Sequence, residues 1–118
     1  MAKYFNKAIK ADGEVFDSKK EYKRWKELCL LERAGKITDL RRQVRYMLFP
    51  SAFEMVTDEN GRRKRVCVCR EISYIADFVY HDENGELVCE DCKGFKTDVY
   101  KLKKKLMYHV YKIKIKET

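Results

Sequence analysis

Proline occurs once in this chain and glycine five times, so neither a collagen-like repeat nor a low-complexity chain fits. No apolar run approaches the ~18 residues of a membrane-spanning helix, and no membrane partner is expected. Residues 1–10 contain no apolar stretch of the kind that opens a secretory leader, so export is not expected either. Cysteine is present five times, an odd number, and a chain of this length folds without staples. Free thiols in a reducing cytoplasm are the expectation. Acidic residues are in deficit: 19 Asp and Glu stand against 27 Lys and Arg, a formal charge of +8. On 118 residues, one domain's worth of chain, that excess points to a polyanionic partner, most simply nucleic acid.

What is present is strongly patterned. The tetrapeptide Asp-Glu-Asn-Gly occurs at Asp58–Gly61 and again at Asp82–Gly85. Asn-Gly between hydrophobic runs signals a hairpin, because both residues tolerate positive φ. Two such turns predict a three-strand antiparallel meander. Ser18 with Glu21 three residues on makes a capping box. Tyr22, Trp25, Leu28, Cys29 and Leu31 recur near helical spacing, and Gly35 supplies the stop, so Lys19 to Ala34 reads as a helix. The first strand runs from about Arg42 to Leu48, or past Pro50 with a break. Arg65 to Tyr80 is long for one strand and reads as bent or bulged. Glu86 to Lys93 is the third strand. Thr97 or Asp98 caps a second helix to about His109, with Val99, Leu102, Leu106 and Val110 as its apolar stripe and Lys101, Lys103, Lys104 and Lys105 opposite. Tyr111 to Lys116 alternates Ile113 and Ile115 with lysines and reads as a last strand. The predicted order is α-β-β-β-α-β, an α/β fold with a mixed sheet flanked by helices.

The chemistry lies in the carboxylates. Asp77 interrupts the apolar run from Tyr74 to Tyr80, and Asp91 and Lys93 share one face of the next strand. A three-residue loop, Glu83 to Gly85 with Gly85 left-handed, sets residue 80 opposite 88 and Asp77 opposite Asp91, with Lys93 beside Ile75. A four-residue loop would set Glu90 opposite Asp77 instead; only Asp91 has a lysine two residues on. Two adjacent carboxylates repel unless a cation lies between them, and Mg²⁺ prefers such an oxygen site. A neighbouring lysine can orient water or stabilise charge on a phosphate. The plain alternative is a hydrogen-bonded Asp77 and an Asp91–Lys93 ion pair.

Asp77, then Asp91-Cys92-Lys93, preceded by a helix carrying Glu21, resembles the PD-(D/E)xK nuclease superfamily, and the element order resembles its restriction-endonuclease-like core. More narrowly, Phe16–Glu21, the stretch from Gly35 to Gln43, Tyr74–Phe78 and Glu90–Gly94 resemble a family of small phage-associated nucleases of that superfamily. The resemblance spans roughly residues 12 to 111, within one nuclease-like domain over residues 1–118. It implies that Asp77 and Asp91 bind Mg²⁺, with Mn²⁺ as a substitute, that Glu21 completes the metal site, and that Lys93 positions or activates water. Glu21 has a competing role in the capping box. The sequence departs from the pattern in having Ala76 before Asp77, and Asp for Glu at position 91. The resemblance further implies DNA as substrate, with branched or junction DNA suited to a phage protein acting in a bacterial cytoplasm, and a homodimer. Gln43 is implied for a water or a phosphate. Lys96, Tyr100, Lys101 and Lys104 follow the site directly and are candidates to hold the DNA backbone. Arg63, in the basic run from Arg62 to Arg65 at a loop tip, is a candidate contact away from the cut.

The cysteines support a rival reading. Cys67 and Cys69 with Cys89 and Cys92 offer four thiolates to Zn²⁺, as in a zinc-ribbon nucleic-acid-binding module. Against it, both pairs lie in strand-like runs, and small core residues account for them equally well.

Overall fold

The computed structural model describes residues 9–11, 13–92 and 95–118, with side chains from residue 13 onward. Lys93, the basic residue expected beside the carboxylates, lies outside the described residues. Two short strands, β1 (Ile9–Ala11) and β2 (Glu14–Phe16), pair antiparallel ahead of α1 (Lys19–Arg33). There follow β3 (Thr38–Phe49), β4 (Ala52–Thr57), β5 (Arg63–Cys69), β6 (Ile72–His81), β7 (Leu87–Asp91), α2 (Asp98–Tyr111) and β8 (Lys116–Glu117). The main sheet has the order β3-β6-β7-β8, antiparallel throughout except that β8 runs parallel to β7. The core is therefore α1-β3-β6-β7-α2-β8, a mixed α/β sheet in the order the sequence predicts. No helix of the described residues is long and apolar enough to cross a membrane.

The repeated tetrapeptide builds the same turn twice. In each copy the aspartate accepts two backbone N–H bonds at 2.9 Å, Asp58 from residues 60 and 62 and Asp82 from residues 84 and 86. Each copy ends on a glycine at φ 79°, a conformation that glycine adopts without steric cost. The second turn sets the register of β6 and β7: Tyr80 pairs with Val88 and Phe78 with Glu90, which brings Asp77 opposite Asp91 at the next step. The first turn does not extend the main sheet. It joins β4 to β5 as a separate two-stranded ribbon. The chain breaks at Pro50–Ser51 on one side and Arg70–Glu71 on the other, so the long run read as one bent strand is β5 followed by β6. The ribbon is exposed along nearly its whole length, and the radius of gyration, 18.8 Å, exceeds the about 13–14 Å of a compact chain of this size.

Two clusters pack on opposite faces of the sheet. Leu28 of α1 packs with Ile37, Phe78 and Tyr80, and Trp25 stacks on Phe78 at 6.0 Å. Tyr100 and Met107 of α2 pack with Leu48, Tyr74, Ala76, Val79, Cys89 and Ile115. Fully burying each of the larger side chains contributes about 1.5–3 kcal/mol. The predicted stripe of α2 is corrected here: Val99, Leu102 and Val110 face solvent, Leu106 is half-buried, and Tyr100 and Met107 are the buried positions. Tyr100 and Met107 pack into the cluster on the sheet, and from there the Tyr100 hydroxyl donates to Glu117 at 2.7 Å. The predicted last strand is corrected as well. The helix continues to Tyr111 and closes on Lys112 at φ 60°. The alternating Ile113 and Ile115 pack into the cluster beneath α2, and only Lys116–Glu117 pairs with β7. Strands β1 and β2 have no counterpart in the sequence reading.

Strands β3 and β6 change faces at one level. Leu40 packs on the α1 side, and the Arg42 guanidinium lies over the Phe16 ring at 3.9 Å. Val44, Tyr46 and Leu48 pack on the α2 side. In β6, Tyr74 and Ala76 face α2, whereas Phe78 and Tyr80 face α1. An unbroken strand would keep residues two apart on one face. The switch falls at Gln43, whose φ is 52°, and at Asp77 opposite it.

Candidate metal and nucleic-acid site

Asp77, Gln43 and Glu21 meet at this switch. The Asp77 carboxylate accepts the Cys92 backbone N–H at 2.8 Å through Oδ2, and the Gln43 amide at 3.5 Å through Oδ1. The same amide donates to Glu21 Oε2 at 3.0 Å. Glu21 is 3% exposed. The Ser18 hydroxyl accepts the Glu21 N–H at 3.1 Å, half of the predicted capping box. In place of the reciprocal bond, Glu21 Oε1 accepts the Asp17 N–H at 3.3 Å, which leaves Oε2 for Gln43 and for Arg42 at 3.2 Å. One carboxylate thus caps α1 and faces the site. Burial, and then the negative charge of Asp77, push its pKa above the usual carboxylate range, against the pull of Arg42. Arg42 is held between Glu21 and Glu14, the latter at 2.8 Å.

Asp91 is fully buried, and the Tyr74 hydroxyl donates to its Oδ2. Burial and this bond drive the Tyr74 pKa far up, so the phenol stays a donor. Glu90, the alternative partner in the sequence reading, points to the other side. Arg24 binds it in bidentate fashion at 2.8 and 2.7 Å, and the Tyr80 hydroxyl donates to it. Burial raises its pKa, but Arg24 and Tyr80 outweigh burial and hold it low. Adjacent residues of β7 therefore serve opposite faces, one as a structural ion pair and one beside Asp77.

Asp77, Asp91 and Glu21 are an all-oxygen set, the chemistry a hard divalent ion takes. Asp77 and Asp91 stand on neighbouring strands, one step beyond the Phe78–Glu90 pair. Glu21 reaches them only through Gln43, and no compact group of three or more His, Cys, Asp or Glu side chains is found among the described residues. The cysteines do not converge. Cys67 and Cys69 are exposed on the ribbon, Cys89 is in the core, and Cys92 contacts the Thr118 hydroxyl at 3.1 Å. Burial pushes the Cys89 thiol up to about 12 and the Cys92 thiol up to about 11.

The predicted DNA-contact residues separate. Lys96, Lys101 and Lys104 line one groove of about 740 Å³ between α2 and the C-terminal segment, together with Lys105 and Lys114, over Tyr108, Ile113 and Ile115. Tyr100 is corrected: it is 5% exposed and its hydroxyl is committed to Glu117, so it lies beneath the helix and is no surface contact. Lys96 and Lys104 also bind Glu117, at 3.3 and 3.1 Å. The Tyr100 bond first, with the two lysines, pulls the Glu117 pKa down to about 2. Arg63 begins β5, near the ribbon turn. Sequence reading passed over Tyr74, Arg42, Arg24 and Glu117. Each acts across the sheet or between helix and sheet, at separations that no local spacing marks.

The chain belongs, over residues 1–118, to the family described as Protein of unknown function (DUF1064). No curated protein and no solved structure matches it.

Proposed function

We propose that this member of the family is a metal-dependent DNA endonuclease of the PD-(D/E)xK type. The observation that carries the reading is the placement of Asp77 opposite Asp91, with Glu21 tied to Asp77 through Gln43 where β3 and β6 switch faces. Backbone held in a sparsely populated conformation, here Gln43, is a recurrent feature of functional sites. The charge of +8 and the lysine groove beside α2 suit a polyanionic substrate.

In this reading Asp77 and Asp91 hold Mg²⁺ or Mn²⁺, which when bound supplies Lewis-acid stabilisation of the phosphate and a more acidic water. The protein's own part is positional. The Cys92 N–H and the Gln43 amide orient Asp77, and the Tyr74 hydroxyl orients Asp91. Glu21, buried and bound by Gln43 and Arg42, acts on Asp77 through the Gln43 amide. Lys96, Lys101 and Lys104 hold backbone phosphates, and the Arg63 ribbon reaches DNA further from the cut. Lys93 is assigned to stabilising charge on the reacting phosphate. A branched substrate suits a domain with basic surfaces on a groove and on a projecting ribbon.

Labelled single strands, duplexes, flaps and four-way junctions, incubated with wild type, Asp77→Asn and Asp91→Asn, test the reading. Expected is divalent-dependent cleavage by wild type, and DNA binding without cleavage by both variants. Cleavage that persists in EDTA, or in either variant, overturns it. Gln43→Ala is expected to raise the Mg²⁺ needed for half-maximal rate by about 10–100-fold, the usual cost of losing a group that orients a metal ligand.

A further inference from the structure

A second basic cavity lies on the opposite side of β8 from the lysine groove. It has a volume of about 360 Å³, and Lys20, Lys23, Arg24, Glu27, Cys92 and Lys116 are among the residues lining it. Its charges are unequal in kind. Arg24 is committed to Glu90 beneath the floor, and Glu27 is taken up by Arg24 at 3.0 Å. The one Asp or Glu side chain of the lining is thus already paired, and Thr118, whose hydroxyl contacts Cys92, completes the wall. The ammonium groups of Lys20, Lys23 and Lys116 have no ion-pair partner among the described residues. Lys20 and Lys23 stand three apart and so share one face of α1, while Lys116 comes from β8 across the cavity. Three flexible ammonium groups on one cavity, of which Lys116 also acts at a distance on Glu90 across the β7–β8 pairing, form a site for a compact polyvalent anion. The cavity also touches the carboxylate site: its lining residue Cys92 donates its backbone N–H to Asp77 and follows Asp91 in the chain.

We propose that this cavity binds a phosphate of the nucleic-acid strand next to the one at Asp77 and Asp91, and so fixes the strand's direction through the site. The proposal rests on the nuclease reading for its substrate class. The phosphate is either an internal phosphodiester or the terminal phosphate of a strand end; both present anionic oxygens to the same three lysines.

The test is equilibrium binding of 5′-hydroxyl and 5′-phosphorylated duplexes over a salt series, in Ca²⁺ or EDTA so that no strand is cut. Wild type is compared with Lys20→Ala/Lys23→Ala, with Lys116→Ala, and with Arg33→Ala/Lys36→Ala at the far end of α1 as a charge-matched control. Thermal melting confirms that each variant is folded; all the substituted side chains are exposed. The expected result is affinity lowered on the order of 10-fold by each cavity variant, with a salt slope shallower by about 1–2, and a much smaller change in the control. Equal losses on both duplexes support the phosphodiester, and a loss confined to the phosphorylated duplex supports the terminal phosphate. Cavity variants that bind like the control overturn the proposal, as does a wild type that binds no DNA. A wild type that binds through these lysines but never cuts, with any divalent ion, leaves the cavity standing and overturns the nuclease reading alone.

Discussion

At the scale of single residues, the two neighbouring acids of β7 show how partners decide a role. Glu90 and Asp91 are equally buried, yet one is locked by a guanidinium and a phenol while the other lies beside a second carboxylate. Arg24→Ala leaves Glu90 as an unpaired charge in the interior, and the expected cost is about 3–5 kcal/mol, read as a lower denaturation midpoint. An unchanged midpoint would show that Glu90 simply protonates without strain. On the other face, Tyr74→Phe removes the donor to Asp91 while preserving the ring. Its expected effect is a Mg²⁺ requirement raised by about 10–100-fold, with little change in DNA affinity measured without metal. The thiols divide in the same way. At pH 8 the exposed Cys67 and Cys69 are expected to react with iodoacetamide well before Cys89, whose pKa of about 12 leaves almost no thiolate. Mass mapping after partial labelling decides it.

Elements were legible where the signal is local. Ser18, Glu21 and Gly35 bound α1 as predicted, and each Asp-Glu-Asn-Gly turn forms with its glycine at positive φ. What stayed illegible was which strands would share a sheet. A break at Pro50 was legible, but nothing within β4 or β5 says that their hairpin will leave the main sheet as a separate ribbon. The ribbon covers no part of either cluster, and an isolated hairpin is marginally stable in water. Replacing residues 52–69 by a short turn between β3 and β6 is therefore expected to shift Tm by no more than a few degrees. A loss of folding would mean that the ribbon is needed to form the β3–β6 pairing. The α2 stripe misled for a related reason: hydrophobic spacing gives a periodicity, whereas the face that packs is the one carrying Tyr100 and Met107 into the sheet cluster.

At the scale of the whole molecule, acid stability follows from the buried and bridged carboxylates. Glu117 and Glu90 both have folded pKa values below the usual 4.5. Their contribution is present above about pH 4.5, and is lost as pH falls through the folded values, about 2 for Glu117. Glu21 is shifted upward and acts with the opposite sign. Melting curves from pH 5 to 2 are expected to fall steeply for wild type and less steeply for Glu117→Gln. Equal slopes would remove Glu117 from the account.

The sequence by itself determined the helices, the two turns and the order of the core. It also favoured Asp77 opposite Asp91 over the Glu90 alternative, and the observed β6–β7 register agrees, because a tight turn carries its register along both strands. Only the tertiary structure decided that the sheet would switch faces at Gln43, that Glu21 would reach the site through the Gln43 amide, and that Glu90 would be claimed by Arg24. It likewise brought Lys20 and Lys23 across a cavity from Lys116. These contacts join residues 22 to 96 positions apart, and only packing two helices on opposite faces of one sheet brings such residues together.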